Sequence, residues 1–145
     1  MRLTVASMLV AGLCVFLAPA AHASDASLKR VVATQGEKFE KAIDRFDDRV
    51  DEIETDAQLE RAKTETERLA KVTGTFHTKV KGEQADSSKY KRARTKLLDA
   101  LSTYKRGLNQ LADGIEDKSK SKIETARKTL ESSGKKFVAA AKAFS

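Results

Sequence analysis

Residues 46–62 read FDDRVDEIETDAQLERA, and this stretch decides how many helices the chain forms. Apolar residues at steps of three and four end one helical stripe at Ile53, and Leu59 begins another. At about 100° per residue the two stripes point about 140° apart, so one straight helix cannot keep both in a core. Residues 55–58, TDAQ, have the capping-box pattern that opens a helix. We therefore predict a break here; the alternative is one long, bent first helix followed by two shorter ones.

The same periodicity extends in both directions from this junction. Apolar residues recur at steps of three and four over residues 28–53, 59–80, 90–115 and 123–144, which is the pattern of amphipathic helices. After residue 23 no stretch alternates apolar and polar residues as a half-buried strand would, and there is no proline. Four helices of similar length with short connections predict an all-α, antiparallel up-down bundle.

Local signals predict the remaining helix ends. Gly82 and Gly114 have the character of C-terminal caps, since glycine tolerates the left-handed backbone conformation. Asp86 or Ser87 is suited to cap the third helix. Residues 121–124, SKIE, fit a capping box that opens the fourth helix.

The N-terminus has the three parts of a cleavable secretory signal peptide. Arg2 supplies the positive start, and residues 3–18 form an uncharged, largely apolar run. Ala21-His22-Ala23 then places small residues where a signal peptidase cleaves before Ser24. The run is shorter than the ~20 residues of a transmembrane helix.

This pattern predicts a domain boundary and a compartment. Residues 1–23 are the expected signal peptide, and residues 24–145 are the expected single helical-bundle domain. The protein is expected to be exported, to the periplasm or the extracellular space. Cleavage would remove the only Cys, the only Pro and both Met of the chain, so the mature domain would have no disulfide and no thiol.

Charge is distributed unevenly along the mature domain. Residues 24–85 carry 12 basic and 14 acidic side chains, whereas residues 86–145 carry 15 basic and 7 acidic. Acidic residues cluster at the first junction, with Lys118, Lys120 and Lys122 expected nearby. The cluster comprises Asp44, Asp47, Asp48, Asp51, Glu52, Glu54 and Asp56.

The opposite end of an up-down bundle would collect basic residues, because helices one and three start there and helices two and four end there. We name this end the basic pole, and we expect few acids to oppose its cations. Its predicted members are Lys29, Arg30, Lys79, Lys81, Lys89, Lys91, Arg92, Arg94, Lys96, Lys135, Lys136 and Lys142. The candidate anion-binding residues among them are Lys79, Lys81, Lys89, Lys91, Arg92, Arg94 and Lys96.

A basic pole would attract an anionic envelope polymer, a lipid surface or an acidic protein. Nucleic acid is disfavoured, because Tyr90 is the only aromatic residue in the cluster and belongs to an apolar stripe instead of an exposed stacking platform. The alternative interpretation is a solvated surface, with charges that serve solubility and pairs such as Glu37–Lys41 along one helix.

Residues suited to catalysis or metal binding are sparse. His77 is the only histidine after residue 23, and a lone histidine without further ligands does not make a metal site. The sequence has no Gly-rich phosphate loop and no nucleophile motif. We therefore predict no catalytic residues, no metal site and no cofactor.

In size, export signal and charge the chain resembles the basic periplasmic chaperones of the Skp type. It has no strand-forming trimerisation region, however, and it lacks the LTxxQ repeats of the Spy type. We assign no family on this resemblance.

Three functional hypotheses follow from the sequence. The first is a non-enzymatic binding or scaffolding module that acts through helix faces and the basic pole. The second is a holdase-like periplasmic chaperone. The third is a membrane-surface protein that opens to lay apolar stripes on lipid, with the fourth helix as the leading element.

Overall fold

The computed structural model describes residues 23–50 and 55–144, and these residues form four helices. The helices are α1 (Ala23–Val50), α2 (Asp56–Gly82), α3 (Ser88–Glu116) and α4 (Lys120–Ala141). Each helix packs most extensively against its neighbour in the chain. The prediction of an all-α, up-down bundle of four helices is confirmed.

The start of the described residues coincides with the predicted cleavage region. The predicted signal peptide lies outside the described residues, apart from Ala23. Within the described part of the chain, none of the helices has the length and apolar character needed to cross a membrane.

A separate helix, α2, starts after Thr55. Thr55 has an extended backbone, with φ −124° and ψ 157°, so no continuous helix passes through it. Its Oγ1 accepts a hydrogen bond from the Gln58 N–H at 3.3 Å, and its own N–H donates to Gln58 Oε1 at 2.8 Å. This reciprocal pair is the capping box that the sequence predicts, and the alternative of one long first helix is wrong.

Replacing Thr55 with alanine should lower the free energy of unfolding by about 0.5–2 kcal/mol, because the substitution removes the side-chain acceptor at the start of α2. Urea unfolding followed by circular dichroism measures the change. Thr64→Ala is the matched control, since Thr64 is exposed in the same helix and should change stability by no more than about 0.5 kcal/mol. Equal effects of the two substitutions would contradict the capping role.

Two other predicted helix ends are wrong, and α2 ends at Gly82 as predicted but without a left-handed cap. Gly82 is the last residue of α2, but Glu83 after it is extended and no described glycine has a positive φ. Gly114 lies inside α3, which continues to Glu116. Ser119, and not Ser121, caps α4, with its hydroxyl accepting from the Lys122 N–H at 3.4 Å. Ser87 does cap α3, as predicted.

The turn between α3 and α4 explains two of these differences. Lys118 is the residue in the left-handed conformation, with φ 49°. Its N–H donates to Ile115 O at 3.1 Å, and the Ser119 N–H donates to Gly114 O at 2.9 Å. These are the two bonds of a Schellman motif. The left-handed position of this motif therefore falls on Lys118 and not on Gly114. Because Ser119 both completes the motif and caps α4, the fourth helix begins two residues earlier than predicted.

Helices α3 and α4 approach each other closely at two glycines seven residues apart. A Cβ added to Gly107 would lie 3.0 Å from Leu130 Cδ2, and one added to Gly114 would lie 3.0 Å from the backbone N of Ile123. These glycines therefore serve helix packing. In contrast, a Cβ added to Gly36 or Gly134 would meet nothing within 4 Å.

One aromatic ring from each helix meets in the middle of the core. Phe39 of α1 has its ring centroid 6.0 Å from that of Phe76, 5.4 Å from that of Tyr104 and 5.2 Å from that of Phe137. Phe76 and Phe137 are also 6.0 Å apart and nearly perpendicular. Edge-to-face contacts of this kind are favourable. This aromatic layer ties α1 to α4, its neighbour across the bundle.

Candidate anion-binding surfaces

Hydrogen bonds join the start of α1 to the loop between α2 and α3, and so build the end that carries the basic pole. The Asp25 carboxylate is 2% exposed and accepts from the backbone N–H of Asp86 at 2.8 Å and of Ser87 at 3.3 Å. Ser27 donates to Glu83 at 2.6 Å. A carboxylate at the start of α3 also complements the positive end of that helix. The start of α1, the end of α2 and the start of α3 therefore meet at one end of the bundle, as predicted.

This end contains more acid than the charge pattern of the sequence predicts. Asp25, Glu83 and Asp86 all lie in these contacts. The periodicity of the first stripe could have flagged Asp25, since it lies three residues before Leu28 on the same helical face. Asp25 fixes the backbone of the loop, whereas Glu83 and Asp86 accept hydrogen bonds from serine side chains of α1.

Arg94, one of the predicted candidates, is engaged within the protein. Its Nη2 donates to Lys81 O at 2.8 Å, and its Nε donates to Val80 O at 3.2 Å. Both carbonyls lie in the last turn of α2, where the helix's own N–H groups no longer reach. Val80 O also accepts from the Glu83 N–H at 3.2 Å. Arg94 therefore stabilises the end of α2, and its guanidinium is only partly available to an external anion.

Lys89, another predicted candidate, contacts an aromatic ring. Its Nζ lies 5.2 Å from the ring centroid of Tyr90, and Lys29 Nζ lies 5.7 Å from the same centroid. Tyr90 in turn stacks on Phe144 at 5.6 Å. The Tyr90 ring thus links α3 to the end of α4, and cations over its face are favourable.

Four of the seven candidates remain as outward-facing cations of the pole. Lys81, Lys91, Arg92 and Lys96 are exposed, and none forms an ion pair with another described residue. Lys79, the seventh candidate, lines a groove between α1 and α2 instead.

That groove is a second basic surface, and the sequence pattern does not predict it. It consists of two adjoining recesses of about 320 and 170 Å³ that share Lys38, Arg68 and Val72. Six cations line them against one carboxylate, Glu65. The basic residues are Lys38, Lys41 and Arg45 from α1, and Arg68, Lys71 and Lys79 from α2.

Glu65 does little to neutralise the groove as a whole. It is buried and lies 2.9 Å from Arg68 Nη1 and 3.7 Å from Arg49 Nη1. The other five groove cations form no ion pair with the described residues. The groove therefore presents an excess of positive charge within a half of the chain that is net negative.

Ion pairs form at the opposite end of the bundle, where Asp51, Glu52 and Glu54 of the acidic cluster lie outside the described residues. Lys118 Nζ lies 2.8 Å from Asp56 Oδ1, as the topology predicts for lysines near the acidic cluster. This pairing lowers the pKa of Asp56 and raises the pKa of Lys118. Lys122 pairs with Asp117 instead.

His77 is half-buried. Burial is the main cause that lowers its pKa, and Lys81 and Lys105 nearby lower it further. The imidazole is therefore neutral at pH 7 and adds no charge to the pole. Over residues 23–50 and 55–144, no three His, Cys, Asp or Glu side chains are grouped to hold a metal ion.

Comparison with known proteins gives no assignment. No protein-family model matches the chain, no curated protein is significantly similar to it, and no solved structure matches its fold. The two basic surfaces are therefore interpreted from their residues alone.

Proposed function

We propose that this protein is an exported, non-enzymatic binding module that docks through its basic pole onto an anionic surface of the cell envelope. The observation that carries the proposal is the set of exposed cations at one end of the bundle: Lys81, Lys91, Arg92 and Lys96. None of them is paired with another described residue. Exposed cations without an ion-pair partner attract anions from solution.

The rigidity of this end supports the same proposal. Arg94 fixes the end of α2, and Asp25 fixes the start of α3. Tyr90 and Phe144 join α3 to the end of α4. These contacts hold the helix backbones that carry the cations, so binding does not have to order the backbone at this end.

The start of the folded domain supports the predicted cleavage before Ser24. The Ser24 hydroxyl donates to Asp86, and Asp25 is buried against the loop between α2 and α3. The first residues that cleavage would leave are thus already part of the bundle, so a signal peptide could be removed without loss of these contacts.

The two alternative functions need a rearrangement of the bundle. The α4 stripe that motivates membrane insertion is packed inside, with Phe137 8% and Phe144 4% exposed. A holdase would likewise need exposed apolar surface for an unfolded client. Docking of the intact bundle requires no such opening, and we therefore prefer it.

Co-sedimentation of the purified protein with anionic and neutral lipid vesicles tests the proposal. We expect binding to anionic vesicles only. The triple substitution Lys91→Gln, Arg92→Gln, Lys96→Gln should weaken that binding about 100-fold, since each basic residue near an anionic membrane contributes about 1 kcal/mol and each 1.4 kcal/mol is a factor of about ten.

The control must lose the same charge at another place on the surface. Arg106, Lys120 and Lys128 are exposed and lie outside the basic pole, so Arg106→Gln, Lys120→Gln, Lys128→Gln should retain most of the binding. Absence of binding to anionic vesicles, or equal losses in the two triple variants, would refute docking through the pole.

A further inference from the structure

We infer that the groove between α1 and α2 is a second, separate site that binds an extended phosphate-bearing polyanion. The groove is lined by the six cations Lys38, Lys41, Arg45, Arg68, Lys71 and Lys79. It lies along the side of the bundle and shares only Lys79 with the predicted basic pole. The site therefore does not depend on the end-on docking proposed above.

The arrangement of the charges favours an elongated ligand. At 1.5 Å per residue, Lys38 and Arg45 are about 10 Å apart along α1, and Arg68 and Lys79 are about 16 Å apart along α2. Two rows of cations thus face each other across a long recess. A chain with repeated anionic groups can contact both rows at once, whereas a single small anion contacts only a few of them.

The position of the acids increases this complementarity. α1 also carries Glu37, Glu40, Asp44 and Asp48, which are exposed but do not line the groove. The one carboxylate of the lining, Glu65, already contacts Arg49 and Arg68. Lys38, Lys41, Arg45, Lys71 and Lys79 consequently face the recess without an ion-pair partner among the described residues.

The floor of the groove distinguishes among polyanions. It is formed by Gln35, Ala42, Leu69, Val72 and Thr75. None of these is aromatic, so the groove offers no surface on which nucleic-acid bases stack.

The shape and the cation type point to phosphate on a flexible chain. The two rows of exposed cations favour a ligand whose anionic groups repeat along its length. Four of the six cations are lysines, which bind phosphate as point charges. A polymer of phosphate groups without bases fits these requirements, whether the phosphates are joined directly or through sugar or polyol units.

Titration of the purified protein with inorganic polyphosphate, followed by fluorescence anisotropy or calorimetry, tests the inference. The groove variant is Lys38→Gln, Arg45→Gln, Lys71→Gln, and the matched variant is Lys91→Gln, Arg92→Gln, Lys96→Gln at the pole. Both variants lose two lysines and one arginine. We expect the groove variant to bind at least about tenfold more weakly and the pole variant to stay within about threefold of the unmodified protein.

The salt dependence gives a second readout. For a flexible polyanion, each lost phosphate contact lowers the slope of log K against log salt by about 0.7, so the groove variant should lose about 2 from its slope. The pole variant should keep the slope of the unmodified protein. Circular dichroism should show the same helix content in all three proteins.

Each outcome supports or overturns binding of a phosphate polymer in the groove. Equal weakening of both variants would mean attraction by net charge and would overturn the groove site. Tighter binding of polyglutamate, of a thymidine oligonucleotide or of anionic vesicles than of polyphosphate at equal anionic charge would overturn the assigned ligand class. Loss of vesicle binding in the pole variant with polyphosphate binding intact would support both sites as independent.

Discussion

Replacing Phe39 with alanine should lower the free energy of unfolding by about 3–5 kcal/mol, the usual cost of removing a buried phenylalanine. Phe39 is 2% exposed, and its ring contacts the rings of Phe76, Tyr104 and Phe137. The substitution removes the one member of the aromatic layer that touches all three others. Because native domains are stable by only about 5–15 kcal/mol, this loss is a large fraction of the total stability.

Urea unfolding at neutral pH measures this effect, and Phe39→Leu serves as its control. Leucine retains most of the apolar volume but loses the edge-to-face geometry, so we expect a loss of only about 1–1.5 kcal/mol. A loss below about 1 kcal/mol for Phe39→Ala would contradict the role of the layer in joining α1 to the rest of the bundle.

Replacing Gly114 with alanine should destabilise the protein by about 1–3 kcal/mol, although alanine is the better helix former. The added Cβ would lie 3.0 Å from the backbone N of Ile123 and 3.1 Å from Lys122 Cβ. Backbone atoms cannot rotate away as a flexible side chain can. The first turn of α4 would have to move, and with it the tight turn that Lys118 and Ser119 form.

Gly36→Ala is the matched control for this prediction. Gly36 lies inside α1, and an added Cβ there meets nothing within 4 Å. Its replacement should therefore stabilise the protein by about 0.5–1 kcal/mol through helix propensity alone. Thermal unfolding of the two variants should show shifts of opposite sign, and a gain of stability in both would contradict the close approach of α3 and α4.

The helices and the first junction could be predicted because their signals are local. Each apolar stripe repeats within its own helix, and the capping box of Thr55 involves residues only three apart. The continuation of α3 past Gly114 and the absence of a left-handed cap at Gly82 could not be predicted in this way. Glycine permits a left-handed cap but does not require one, and the contact of Gly114 with Ile123 forms only when α4 is in place.

The candidate sites show the same division between local and long-range information. The lysines and arginines near the start of α3 are close in sequence, so the basic pole could be proposed from the sequence. The groove brings Lys38 and Arg45 together with Lys71, from the half of the chain that is net negative. A charge count along the chain hides such a surface, because the exposed acids of α1 do not line the groove.

The contacts of individual candidates were equally inaccessible from the sequence. Arg94 is one of five cations within eight residues. Only the packing of α3 against the end of α2 places its guanidinium on the carbonyls of Val80 and Lys81. An arginine that caps a helix and one that faces solvent have the same local sequence signal.

The central claim is that this bundle binds anions through unpaired surface cations. The most direct test is equilibrium binding of the unmodified protein to anionic vesicles and to polyphosphate over a series of salt concentrations. We predict that log K falls linearly with log salt for both ligands, as it does when basic side chains displace counterions. Binding that is independent of salt, or no binding of either ligand at low salt, would contradict the claim.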